Sequence, residues 1–150
     1  MVSVHRLTLK KLNNDNFYDV CQLSVKPEQL GHVDSNALSM AEANFSDHAW
    51  MRGIYLNEEP VGFVMVDARA ETNKFYLWRF MIDQRHQGLG FGRAAMQLVV
   101  SDLKQVFNAS ELTTSVVPVE NGPQEFYENL GFQLTGNNME DKELELKLAI

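Results

Sequence analysis

The sequence predicts an α/β (α+β) layered domain, a central mixed and mostly antiparallel sheet flanked by about four helices. Three patterns carry that expectation. Residues 50–56 and 61–66 are extended and apolar, and the turn-forming Asn57-Glu58-Glu59-Pro60 between them makes an antiparallel hairpin. Residues 75–82 form a near-continuous apolar run, as expected of a central strand buried on both faces. Beyond it, strand-like segments alternate with helical periodicity, so helices should layer on the sheet.

Taken in order, the chain opens on a strand over residues 4–9, with Val4, Leu7 and Leu9 at apolar positions. Asn14, Asp15 and Asn16 mark a helix start, because short polar side chains accept from free backbone N–H groups. Phe17, Val20, Cys21 and Ser24 form its expected inward face. Ser35 should cap a second short helix running to Ala43, with Leu38, Met40 and Ala41 inside. After the hairpin, the central strand and a glycine loop comes a long helix. On it Ala95, Met96, Val99, Leu103 and Val106 recur at helical spacing, and Asn108 ends it. Residues 112–117 make a strand stopped by Pro118. Asn121-Gly122-Pro123 opens the last helix, with Asn121 as cap, and Gly131 ends it in the left-handed conformation. Residues 132–134 and 144–148 supply the closing strands.

Composition narrows the function classes. A chain of 150 residues fits one domain, taken as residues 1–150, and can bury a core. Residues 1–10 lack an apolar leader, and the longest apolar stretch, residues 61–66, is far too short to span a bilayer. No membrane association is expected, and the cytoplasm is the expected compartment. Cys21 is the only cysteine, so no intrachain disulfide or cysteine zinc cluster can form, and no metal is expected. The net charge of −7 would repel a nucleic acid and attract a cationic substrate, besides keeping the protein in solution.

The chemistry-bearing motif is Gln87-Gly88-Leu89-Gly90-Phe91-Gly92-Arg93, set between the central strand and the long helix. Glycines let the backbone approach an anion without a Cβ in the way. The free N–H groups and dipole of a helix N-terminus favour that anion. A strand, a glycine loop and a helix in that order therefore predict phosphate binding. A P-loop would need Lys-Ser or Lys-Thr after the glycines, and none follows. A Rossmann fingerprint would need glycine where Arg93 stands.

The loop resembles the pyrophosphate loop of the GNAT N-acetyltransferases, Gln/Arg-x-x-Gly-x-Gly/Ala, at Gln87, Gly90 and Gly92. A second block of that family, an Asn followed by an aromatic pair ending in Tyr and then Gly-Phe, is matched by Asn121, Phe126, Tyr127, Gly131 and Phe132. The resemblance covers about residues 50–135 and implies acetyl-CoA as cosubstrate. It places the CoA phosphates on the loop and the pantetheine arm against the backbone of Phe80, Met81 and Ile82, with Asn121 helping to hold the arm. Arg93 is a candidate for a CoA phosphate. It also gives Tyr127 the role of acid toward the leaving thiolate, and a phenol with an ordinary pKa of about 10 is protonated at neutral pH. Core packing beside Phe126 is the competing role for Tyr127.

Within the superfamily, Gln29-Leu30, Val33-Asp34-Ser35 and Arg79-Phe80-Met81-Ile82-Asp83 are similar to the bacterial spermine/spermidine acetyltransferases. Trp78 stands where that group often has an acidic residue before the Arg. The resemblance implies a small amine substrate, a polyamine, with Glu28 and Asp34 as candidate acceptor-site carboxylates. Another amine, or a non-catalytic acyl-CoA-binding module, stays open. No general base is legible: His5, His32, His48 and His86 are scattered, and His86 beside the loop fits an anion contact or solvent exposure. A homodimer is the assembly considered, without any residue that specifies it.

Overall fold

The computed structural model describes residues 6–31, 33–138 and 142–150; Val4, His5 and His32 lie outside them. The apolar segments pair largely as their patterning requires. Along the chain come β1 (Leu7–Lys10), α1 (Phe17–Cys21), α2 (Asn36–Ala43), β2 (Ala49–Leu56), β3 (Glu59–Arg69), β4 (Lys74–Ile82), α3 (Phe91–Phe107), β5 (Glu111–Val116), α4 (Gln124–Asn129), β6 (Gln133–Asn138) and β7 (Leu144–Ala149). The strands form a seven-stranded sheet in the order β1-β2-β3-β4-β5-β7-β6, antiparallel except where β4 meets β5. β4 is thus central, as its apolar run predicts.

Alternation along β3 shows why both faces are covered. Val61, Val64 and Val66 join the core under α3 and α4, whereas Phe63 and Met65 join the core under α1 and α2. On the first face Ala95, Met96, Val99 and Leu103 of α3 are buried at helical spacing. Removing a side chain such as Leu103 there costs about 2–5 kcal/mol.

Several expectations change in detail. The hairpin turn is only Asn57-Glu58, because Leu56 already pairs with Glu59, and Asn57 takes a φ of 56°. Pro60 lies in the strand, beside a register shift that spares it a ladder hydrogen bond. The first turn before α1 is organised by Asn13, whose Oδ1 accepts from the N–H groups of Asp15 and Asn16 at 2.8 and 3.0 Å. A one-turn helix has one inward position, held by Val20, so Phe17 is exposed.

Ser35 caps α2 as expected, accepting from the Leu38 N–H at 3.1 Å. The inward stripe, however, is Asn36, Ser39 and Ala43, so Leu38 and Ala41 face out. Asn36 sets that phase by donating to Val20 O at 2.9 Å. On α3, Phe107 rather than Val106 packs inward, against Phe75 with ring centres 5.7 Å apart. Asn121 does not cap α4: it has a φ of 61°, and Pro123 occupies the cap position. Gly131 follows α4 with a φ of 103°, as expected.

Candidate active site

The parallel pair at the centre of the sheet barely holds together, and that failure makes the site. β4 and β5 share one paired position, Tyr76 with Thr113. The Thr113 and Thr114 hydroxyls brace the vertex by donating to Phe75 O and Leu77 O at 3.3 and 3.2 Å. Beyond it the strands diverge, and a cleft of about 610 Å³ opens, lined by Tyr76 to Ile82 on one side and Thr114, Ser115 and Val117 on the other. A bulge at Trp78 contributes: Met65 pairs with Arg79 but Val66 with Leu77, leaving Trp78 as the extra residue. The bulge flips the strand's parity. Phe75 and Leu77 join the α3 core before it, and Phe80 and Ile82 do so after it. Trp78 and Met81 pack on the α1/α2 side.

The backbone of β4 past the bulge divides between two partners. The Asp83 N–H donates to Val61 O at 2.8 Å, and hydrogen-bonded positions alternate in an antiparallel pair. Arg79 and Met81 therefore point their backbone groups at β3, whereas Phe80 and Ile82 turn theirs toward the cleft. Met81 thus drops out as a backbone contact for a ligand. The Ile82 carbonyl is also occupied, because Gln87 Nε2 donates to it at 2.9 Å. Among the described residues, the backbone of Phe80 and the N–H of Ile82 have no β5 partner.

At the mouth of the cleft lies the glycine loop. Gln87 also donates to Gln29 Oε1 at 2.9 Å, so its side chain staples the loop to the strand end and to the N-terminal region. Gly90 sits at the N-cap of α3 with a φ of 84°, a conformation that glycine adopts without strain. Gly92 is needed for another reason: a Cβ there would meet the Phe126 ring at 3.0 Å. Among the described residues, no carbonyl or side chain accepts from the N–H groups of Gly88, Leu89, Gly90, Phe91, Gly92 or Arg93. The first intrahelical bond of α3 is Ala94 N–H to Gly90 O. Such a row of free donors at a helix N-terminus fits a phosphate. The Phe91 side chain is core, 1% exposed, and offers only its N–H. Leu89 is exposed, and Arg93 donates to Asn129 O at 3.0 Å, linking α3 to α4.

α4 covers the cleft with its aromatic pair. Phe126 stacks on Phe80 with ring centres 6.1 Å apart, and Tyr127 packs edge-on to both Phe126 and Phe132. Tyr127 is 8% exposed, so it is core and cleft wall at once. Burial pushes its phenol well above the ordinary tyrosine value; a hydrogen bond with Thr114 partly offsets this, and Tyr76 adds to it. The raised phenol favours the protonated form, which suits a proton donor better than a base.

On the opposite side, Arg79 bridges Asp34 and Glu42 of α2, the latter at 3.0 Å. Asp34 lines the cleft, but Glu28, exposed in the turn Pro27–Gln29, does not. Asn121 is at the cleft rim. His86 is largely shielded from solvent: its side chain is 14% exposed and lies against Phe91 and between Asp83 and Glu59. Unanticipated are Tyr76, Ser115 and Glu143, which join the wall as a hydrogen-bonded set. Glu143 precedes β7 in a polar stretch without any periodic signal, so sequence offered no way to place it here.

A forked parallel pair, a donor-rich helix start at its mouth and a tyrosine at its vertex agree with a family profile. Residues 8–132 match the Acetyltransferase (GNAT) family. The chain belongs to the GNAT acetyltransferase family. This acetyltransferase is 24% identical over 136 residues to the spermine/spermidine N(1)-acetyltransferase of Bacillus subtilis, covering 87% of this chain and 90% of that protein. Its fold is similar to that of an acetyltransferase from Thermus thermophilus, with a TM-score of 0.76, 17% identity and 96% and 97% of the two chains covered. It is equally similar to the spermidine N-acetyltransferase of Vibrio cholerae, solved with CoA and spermine: TM-score 0.76, 17% identity, 97% and 96% covered. Among the described residues no helix of the acetyltransferase is long and apolar enough to cross a membrane.

The acetyltransferase's loop is tied to its N-terminal region by one buried carboxylate. Asp83, 2% exposed, accepts from the Ser24 N–H at 2.9 Å and from Arg85 Nε at 2.8 Å, while Gln84 N–H donates back to Ser24 O at 2.8 Å. Burial alone would raise its carboxyl, but the Ser24 and Arg85 donors outweigh it and hold it below the ordinary range. Asp83→Ala, which leaves the Ser24 donor unpaired, is expected to cost about 1–3 kcal/mol in urea unfolding at pH 7. The folded carboxyl is the stronger acid, so its contribution is present above the unfolded value near 3.9 and fades as pH falls through the lowered folded value. The gap between wild type and variant should therefore narrow in acid. A gap constant from pH 7 to pH 2 would contradict this role.

Proposed function

We infer that this chain, as one catalytic domain over residues 1–150, moves the acetyl group of acetyl-CoA directly to a primary amine, with a polyamine such as spermine or spermidine as the acceptor class. The observation that carries the reading is the forked β4/β5 cleft, with free N–H donors at one mouth, carboxylates toward the other and Tyr127 between them. CoA phosphates would lie on the N–H groups of Gly88 to Arg93, and the arm would run along Phe80 beside Asn121. Acetyl-CoA supplies the activated thioester. The chain's own groups do the rest: a β4 N–H facing the cleft would meet the developing oxyanion, and the Tyr127 hydroxyl would give its proton to the departing sulfur. The burial that raises this phenol would raise a thiol beside it too, so the two stay matched for transfer.

The acceptor class follows from charge. Arg79 is paired with both Asp34 and Glu42, and Glu143 lines the wall on the β5 side, so among the described residues the carboxylates outnumber the guanidinium around the cleft. Similarity to spermine/spermidine acetyltransferases supports the same class. The expected result is a KM for spermine that rises with salt, since the Debye length falls from ~10 Å at 0.1 M to ~3 Å at 1 M. Asp34→Asn should raise KM further, and Glu28→Gln, outside the cleft, should not. Turnover of a different amine without any turnover of spermine or spermidine would remove the polyamine and keep the acyl transfer.

A further inference from the structure

The acceptor ammonium, with an ordinary pKa near 10.4, must lose a proton before its nitrogen can attack. His86 is not a wall residue of the cleft and sits between Asp83 and Glu59, burial favours the protonated phenol of Tyr127, and the Asp34 carboxylate is already bound by Arg79. A different group has the geometry. The Tyr76 hydroxyl, on the cleft wall, is hydrogen-bonded to Ser115 Oγ. Ser115 in turn donates to Glu143 Oε2 at 3.0 Å. Since the Ser115 proton points at the carboxylate, Tyr76 must be the donor to Ser115. The lone pairs of the Tyr76 oxygen are then left for a donor in the cleft.

We propose that Tyr76, Ser115 and Glu143 form the proton relay that deprotonates the acceptor amine, with Tyr76 as its entry and Glu143 as its terminal base. This rests on the acyl-transfer reading above. One ammonium proton enters at the Tyr76 oxygen, the Tyr76 proton passes to Ser115, and the Ser115 proton lands on Glu143 and leaves to solvent. The nitrogen then forms its bond to the acetyl carbon as the carbon–sulfur bond breaks. The sulfur takes the Tyr127 proton, and the second proton released from nitrogen restores Tyr127. The sum is one amide, one thiol and one proton released.

The surroundings suit a terminal carboxylate on this branch. Among the described residues, Arg79 approaches Tyr76 from the same strand, Tyr127 faces it from α4, and Glu145 of β7 is a further nearby charge. Glu145 is engaged elsewhere, accepting from Thr135 at 2.8 Å and Asn137 at 3.0 Å. Asp34 and Glu42 are drawn to Arg79 on the α2 side. Trp78 occupies the bulge, and an acid from β5–β7 serves the cleft from across the fork.

The test is the pH profile of kcat/KM for the amine in Glu143→Gln and Tyr76→Phe. A lost base is worth about 10²-fold or more at pH 7. That loss should shrink about tenfold per pH unit, because the free-amine fraction rises by that factor below ~10.4. KM for acetyl-CoA should stay put, and Glu143→Asp should recover part of the rate. If one variant does not fold by circular dichroism, the other decides, since each interrupts the relay at a different end. A loss that is flat with pH, a rise in amine KM with kcat intact, or no loss at all would overturn the relay. Absence of thiol release by the wild type with every primary amine would instead overturn the acyl-transfer reading on which it rests.

Discussion

Tyr127→Phe should lower kcat by about 10²–10⁴-fold, the usual worth of a positioned acid, while the affinity for acetyl-CoA stays within about twofold. The substitution is conservative for packing: the ring keeps its edge-on contacts with Phe126 and Phe132. It removes only the hydroxyl beside Thr114. Because burial already keeps that phenol protonated, the wild type should show no loss of activity on the basic side that belongs to Tyr127. Single-turnover kinetics, which isolate chemistry from product release, are the measurement to use. A variant with the wild-type single-turnover rate would leave Tyr127 as a core aromatic and nothing more.

Gly90→Val should weaken CoA binding by at least ~10-fold for each backbone donor it displaces, since hydrogen bonds to charged groups are worth about 1.5–3 kcal/mol. Gly90 has a φ of 84° at the start of α3, where a β-branched residue is strained. The strain should move the N–H groups of the first turn out of register with an anion. Titration calorimetry with CoA and with dephosphorylated pantetheine separates the effects. The loss should appear with CoA and nearly vanish with the phosphate-free fragment. Gly92→Val is a poorer probe, because its Cβ would strike Phe126 and disturb the α4 cover as well.

Local signals in the sequence reach as far as the elements and the phosphate loop. The apolar run of β4 placed it at the sheet centre, and the loop was legible because its glycines precede a strongly periodic helix. What stayed hidden depends on contacts between distant segments. Gln87 matches the family pattern for a phosphate loop, yet its side chain holds Ile82 and Gln29, a role visible only once the strand end lies beside it. Met81 and Phe91 lie inside matched segments, but ladder phase and core packing point their groups elsewhere. Glu28 and Asp34 are equivalent acids in the sequence, and only the fold brings Asp34 to Arg79 and the cleft. The inward face of α2 departs from the apolar periodicity because Asn36, a polar residue satisfied by Val20 O, takes a position that periodicity reserves for an apolar side chain.

On the proposed function, one cleft binds acetyl-CoA and passes its acetyl group to an amine in a single step. The most direct measurement is the joint quantitation of free thiol and N-acetylated product when the protein is mixed with acetyl-CoA and spermidine or another primary amine. One thiol per amide formed is expected, with no acetyl group left on the protein itself and both signals strongly reduced in Tyr127→Phe. Tight CoA binding with no thiol released by any amine, or an acetylated protein intermediate, would contradict it.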